Sequence, residues 1–198
     1  MFHKIEYCLK VVCNLDSISI KPIKLRCRQF HIGDDPGLAG DGRDLCRYRC
    51  ESQAYQALHI HGACRLGTVP YFYGLFDSFD PEVLRPKFDW FKNDKFFPCA
   101  ILLEYLPNAI SFKSASLAPE SVSMAVDGLK TIHNTGVIHN DALPKNVLIV
   151  PGTASQRVVW IDFDISIVFS AKGTRWLLNL NDEAEWEVRF FESRVRKW

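Results

Sequence analysis

The chain lacks any long uninterrupted apolar run. Its first segment, MFHKIEYCLKVV, is apolar but broken by charges, whereas a bilayer-crossing helix needs about 20 consecutive apolar residues. Neither a membrane span nor a signal peptide is expected, which points to a cytoplasmic or nuclear protein. An excess charge of either sign is missing too. The 24 Lys and Arg stand against 23 Asp and Glu, for a formal net charge of +1. That balance offers neither nucleic acid nor an anionic membrane surface an electrostatic footing. The seven cysteines include no C-x-x-C pair, and their odd number argues against a disulfide framework. Cys46, Cys50, His59 and His61 have C-x3-C and H-x-H spacings that match no common zinc module. Internal repeats and low-complexity tracts are also lacking.

What remains is a chain of 198 residues with 47% hydrophobic and 24% charged content, the balance of a globular domain. Alternation over residues 5–12 predicts a strand, with a second over 17–25. The Gly- and Asp-rich stretch 33–44 reads as a loop. A helix is predicted over residues 43–60, with Glu51 on its apolar face because Ala54, Tyr55 and Leu58 lie three, four and seven positions on. Strands follow over 69–76 and 99–105, the latter a continuous apolar run of the kind a buried strand shows. Pro119 opens a helix to residue 134, with Val122, Val126, Leu129 and Ile132 as its stripe. Short strands are predicted over 137–138, 147–150 and 158–163, and a terminal helix capped by Asn181 runs to about residue 195.

The chemistry concentrates in the loop His139-Asn140-Asp141-Ala142-Leu143-Pro144-Lys145-Asn146, set between two of the short strands. Asp162 follows Asn146 by sixteen residues, in the apolar segment VVWIDF. Phosphoryl transfer requires a carboxylate to orient the attacking hydroxyl, oxygen ligands for magnesium and cations for the phosphates. Asp141, Asn146 and Asp162 supply the oxygen groups.

This pattern resembles the protein kinase superfamily, whose catalytic loop H-R-D-x-x-x-x-N is followed by D-F-G. Here the sequence reads HNDALPKN and then Asp162-Phe163-Asp164. The resemblance implies an ATP- and Mg2+-dependent phosphotransferase, with Asp141 as base, Asn146 and Asp162 as metal ligands, and His139 bracing the loop. Lys10, in YCLKV, is similar to the strand lysine that holds ATP phosphates. Glu51 is the implied partner of Lys10, and Cys8 the implied neighbour of the adenine. LEYL resembles the segment joining two lobes, with backbone groups of Glu104 and Leu106 implied to bind adenine. The implied fold is α+β and two-lobed, a protein kinase-like single domain over residues 1–198. It has a reduced small lobe (1–104, with an insert at 33–44) and a reduced helical large lobe (105–198, with its catalytic loop at 139–146).

The pattern departs from the family at four places. No Gly-rich loop precedes Lys10, Asn140 replaces the usual Arg, Asp164 replaces the Gly of D-F-G, and 34 residues follow Asp164. On an extended chain Asp164 is expected to face away from Asp162. The sheet is accordingly read as incomplete and the large lobe as shortened. Three functional readings follow: transfer of the ATP γ-phosphate to a hydroxyl, most simply on a protein; a kinase-like binding module without turnover; and a small-molecule kinase of the aminoglycoside or choline type. A fragment of a longer kinase chain is a further expectation. The phosphate acceptor is not written in these motifs.

Overall fold

Cys99–Glu104 (β4) is the strand around which the first part of the computed structural model is organised. Its residues Cys99 to Leu103 are buried, as an uninterrupted apolar run requires of a strand paired on both edges. The structure describes residues 6–7, 25–30, 36–76, 78, 80, 82, 89, 93, 96–112, 118–152, 155–169 and 179–196. Within these, Glu6–Tyr7 (β1), Leu25–Phe30 (β2), β4 and Phe72–Phe76 (β3) form an antiparallel sheet in the order β1-β2-β4-β3. Leu25 lies opposite Glu104 and Phe30 opposite Cys99. Together with the segments around them these strands form one compact unit, residues 1–33 and 72–106. The predicted strand over 5–12 is described only at Glu6 and Tyr7, and most of the predicted strand over 17–25 lies outside the described residues.

A second compact unit comprises residues 34–71 and 107–198. It begins with a tight turn rather than an irregular loop. Leu38 bridges Asp44, Ala39 N donates to Arg43 O at 2.8 Å, and Leu45 N donates to Gly37 O at 3.1 Å. These bonds hold residues 38–45, so the following helix, Arg47–Ile60 (α1), starts four residues later than its periodicity predicts. Asp44 fixes the junction: it accepts from Cys46 N at 2.8 Å and takes two bonds from the Arg49 guanidinium, at 2.6 and 2.8 Å. A short helix, Ala63–Leu66 (α2), follows.

The remaining elements of this unit are Ile110–Ser111 (β5), Pro119–His133 (α3), Val137–Ile138 (β6), a 3-10 turn at Pro144–Asn146, Val147–Val150 (β7), Arg157–Trp160 (β8), Ile167–Val168 (β9) and Leu180–Val195 (α4). β5, β7 and β8 form one antiparallel sheet, and β6 pairs with β9. α3 starts at Pro119, as predicted, because a missing N–H costs nothing in the first turn. Its buried face is Ala125, Val126, Leu129 and Ile132. Trp160 lies at the centre of this core, fully buried. Its indole Nε1 donates to Ala125 O at 2.9 Å and its ring meets Phe191 of α4 at 4.9 Å. The cap of α4 lies two residues before the predicted one: Asn179, not Asn181, accepts the capping bond, from Asn181 N. Phe191 is fully buried, while Trp186 is exposed and stacks on Phe190.

The chain is thus α+β. The first unit ends at Leu106, and α1 belongs to the second unit, where it contacts β6 and β9.

Candidate functional site

The loop of residues 139–146 leaves β6 at Ile138 and returns through the 3-10 turn into β7. Two short strands and a Pro-initiated turn therefore fix both of its ends. Asn140 adopts φ 62° and Asp162 φ 75°. Asn tolerates this left-handed region better than most residues, which suits Asn at position 140. For Asp162 the conformation is a strained one, held by the surrounding bonds.

Those bonds join the loop to the Asp162 segment. Asn146 is buried, and its amide nitrogen donates to Asp141 O at 2.8 Å and to Asp141 Oδ2 at 2.9 Å. Both amide hydrogens are thereby spent on Asp141, which leaves the Asn146 oxygen as a hard donor of the kind magnesium takes. Ile161 N donates to Asn146 O at 2.9 Å, and the His139 ring donates from Nε2 to Ile161 O at 3.0 Å. The peptide units on either side of Ile161 are thus anchored to the loop, one residue from Asp162. β8 is predicted to continue to residue 163 but ends at Trp160, because Ile161 turns away to make these bonds. His139 is fully buried, with its ring 4.6 Å from that of Phe163 and 5.3 Å from that of Trp160.

Asp141 is partly exposed and carries a second partner, Lys145 Nζ, at 2.8 Å from Oδ2. The hydrogen bond to Asp141 raises the Lys145 pKa above its ordinary value, against a smaller opposing effect of burial. Asp164 departs from expectation. The chain at 163–166 turns instead of extending, with Ser166 N bonded to Phe163 O at 3.1 Å. Asp164 is buried there, and Arg47 of α1 reaches its Oδ2 at 2.7 Å. Of the other predicted residues, Glu51 is 1% exposed on α1, as its place on the apolar face requires. Glu104 is half-buried at the end of β4 and Leu106 is buried. Cys8 and Lys10 lie outside the described residues, and with them the Lys10–Glu51 pair.

No family model matches this chain, and no curated protein matches it. Among solved structures it is similar to a chain described as "WaaP in complex with acyl carrier protein", at 15% identity, over 90% of this chain and 74% of that one, with a TM-score of 0.45. That score is too low to establish a shared fold, and the identity is too low to speak to activity.

The largest omission in the sequence reading is Glu187. Its carboxylate, 2% exposed, accepts at Oε2 from His133 Nε2 (2.7 Å) and from His139 N (3.1 Å), and at Oε1 from Asn140 N (2.6 Å). One side chain from α4 thus satisfies two backbone amides of the 139–146 loop and a histidine of α3. A signal existed: Glu187 shares its helix face with Phe191 and Val195, both buried. A carboxylate in an apolar stripe needs partners, but nothing local names them. Among the described residues, no group of three or more His, Cys, Asp and Glu is arranged to hold a metal. One amide and one carboxylate remain enough for magnesium, which binds through few protein ligands and takes others from substrate phosphates and water. Cys46, Cys50, Cys64 and Cys99 are free thiols, and no helix among the described residues is long and apolar enough to cross a membrane.

Proposed function

We propose that this chain is a protein kinase-like phosphotransferase that moves the γ-phosphate of ATP to a hydroxyl. One observation carries the reading: Asn146 bonds to Asp141 through its side chain and to Ile161 through its carbonyl, so that base and metal-ligand segments form one bonded cluster. In this role Asp141 orients the acceptor hydroxyl and takes its proton. Both contacts to Asp141 from Asn146 and Lys145 fall on Oδ2, so Oδ1 is the oxygen assigned to the hydroxyl. Asn146 and Asp162 hold magnesium, which neutralises charge on the phosphate oxygens when bound. Lys145, beside Asp141, adds a cation that the motif did not predict.

The remaining assignments follow the resemblance. Lys10 and Glu51 orient the ATP phosphates, Cys8 lies against the adenine, and Glu104 and Leu106 offer it backbone hydrogen bonds. The two-lobed arrangement, with lobes meeting near residue 104, belongs to the same proposal. The acceptor is a protein or small-molecule hydroxyl.

Thermal unfolding with ATP and Mg2+ tests the reading, in the wild type and in Asp162→Ala. Ligand at about 100 times its dissociation constant adds ~2.7 kcal/mol of stability, which moves the midpoint by several degrees. The wild type is expected to shift, and Asp162→Ala to lose the magnesium-dependent part. A wild type that ignores Mg·ATP sinks the proposal. Phosphate transfer that survives Asp141→Ala removes the base assignment, and Mg·ATP binding without transfer to any acceptor leaves a binding module.

A further inference from the structure

The acidic residue in the place of the D-F-G glycine has a partner 117 positions away in the chain. Asp164 is 7% exposed, and a carboxylate so buried is costly unless a cation meets it. Arg47 meets it at 2.7 Å from the first turn of α1. That first turn contains no acidic residue, and Cys46, at the N-cap, makes no side-chain capping bond. A cation such as Arg47 at a helix N-terminus is disfavoured by the helix dipole unless an anion lies close. Asp44 lies beside the N-cap but bonds Arg49, and Asp164, from a distant part of the chain, is the carboxylate that meets Arg47.

Two further tethers hold the same turn. Asn140 Nδ2 donates to Ile165 O at 2.9 Å, and Ser166 Oγ lies 2.7 Å from Phe163 O and 3.3 Å from Cys50 O. On this side a cavity of about 240 Å3 opens beside the turn, lined by Arg43, Arg47, Cys50, Asn140, Ile165 and Val168 among others. A turn flanked by open space keeps a strained conformation only if specific bonds over-determine it.

We propose that Arg47 and Asp164 are a positioning pair for Asp162. Through them α1 holds the 163–166 turn, and with it the left-handed backbone of Asp162, in one arrangement at all times. The metal-ligand segment is then set by a permanent internal bond, and no phosphate-dependent switch is needed to order it. The functional part of this inference rests on the phosphotransferase reading; the mechanical part does not.

Hydrogen exchange on the free protein tests the mechanical part. In Arg47→Gln the Ser166 amide is expected to exchange several-fold faster than in the wild type. Ile161 N, held by Asn146, and the amides of α3 are expected to stay unchanged, and Arg47→Lys to recover most of the protection. Unchanged exchange at Ser166, or uniform loosening of the whole unit, overturns the proposal. Magnesium titration of the ATP-induced thermal shift tests the functional part. Loss of a bond that orients a metal ligand typically weakens metal affinity at least about tenfold, so Arg47→Gln is expected to need that much more magnesium, while the shift with ATP in EDTA stays the same. The double variant Arg47→Gln/Asp164→Asn should be no worse than either single one. A further, independent loss from Asp164→Asn would make Asp164 a metal ligand and refute the positioning role. If the wild type shows no nucleotide response, the phosphotransferase reading fails, while the exchange result still decides the strut.

Discussion

Replacing Glu187, 41 residues beyond Asn146, should damage the loop of residues 139–146. In Glu187→Ala three donors lose their acceptor at once: His133 Nε2, His139 N and Asn140 N. Each buried donor left unsatisfied costs about 1–3 kcal/mol. The costs are not additive, because water can enter the space vacated and reach some of the three. A total of about 3–5 kcal/mol is expected, the range found when one member of a buried polar pair is removed. Against a typical stability of about 5–15 kcal/mol this is a large fraction. For a protein of this size it corresponds to roughly 10 °C in midpoint.

Glu187→Gln separates shape from acceptor chemistry. The amide keeps the volume but replaces one acceptor oxygen with a donor. Turned one way it faces Asn140 N, at the shortest of the three contacts; turned the other it faces His139 N. The first orientation loses one bond and the second loses two, since Oε2 accepts from both His139 N and His133 Nε2, so the first is expected, at about 1.5–3 kcal/mol. Urea denaturation gives the stability change, and hydrogen exchange at His139 and Asn140 shows where it acts. Both amides are expected to lose protection in step with the global loss in Glu187→Ala, with Asn140 affected alone in Glu187→Gln. A cost below about 1 kcal/mol for Glu187→Ala, with both amides still protected, would refute the view that α4 anchors this loop.

Two other outcomes follow from single residues. Burial, and then the nearby Asp44 carboxylate, push the Cys50 thiol up from 9.0 to about 11, so at pH 8 about one part in a thousand is thiolate; mass spectrometry after mild alkylation should find Cys46 modified well before Cys50. The same shift makes the folded form hold its proton where the unfolded form releases it, so the Cys50 contribution is intact below pH 9.0, declines towards about 11, and should vanish from the pH profile of stability in Cys50→Ala. Gly136→Ala places a methyl group on a backbone with φ 79° and brings it to 3.1 Å from Phe169 O; a loss of about 1–2 kcal/mol is expected from the left-handed conformation alone, and a neutral result in thermal unfolding would contradict the described turn.

Local pattern was enough for much of this protein. The apolar run that became β4, the stripe of α3 opened by Pro119, and the burial of Glu51 all depend on spacing within a few residues, and the structure has them where spacing puts them. The loop bearing Asp141 and Asn146 stands out in the sequence by its resemblance to a known motif, and the structure bonds these two residues to each other. Where elements end was less legible. α1 starts late because residues 38–45 are held in a bridged turn, and β8 stops at Trp160 because Ile161 bonds to Asn146 and His139. The terminal helix is capped by Asn179, since both Asn179 and Asn181 suit a cap and only the course of the chain chooses between them.

What only the tertiary structure decided are the partners. Glu187 with His133 and the loop amides, Arg47 with Asp164, and Asn140 with Ile165 are separated by 25 to 117 residues. A sequence shows that a buried carboxylate must be satisfied, because the desolvation penalty belongs to the group itself. It does not show by what, because the satisfying donor is chosen by how distant segments pack. The candidate site is therefore a local motif fastened by long-range bonds, from Glu187 of α4 to the loop amides and from Arg47 of α1 to Asp164.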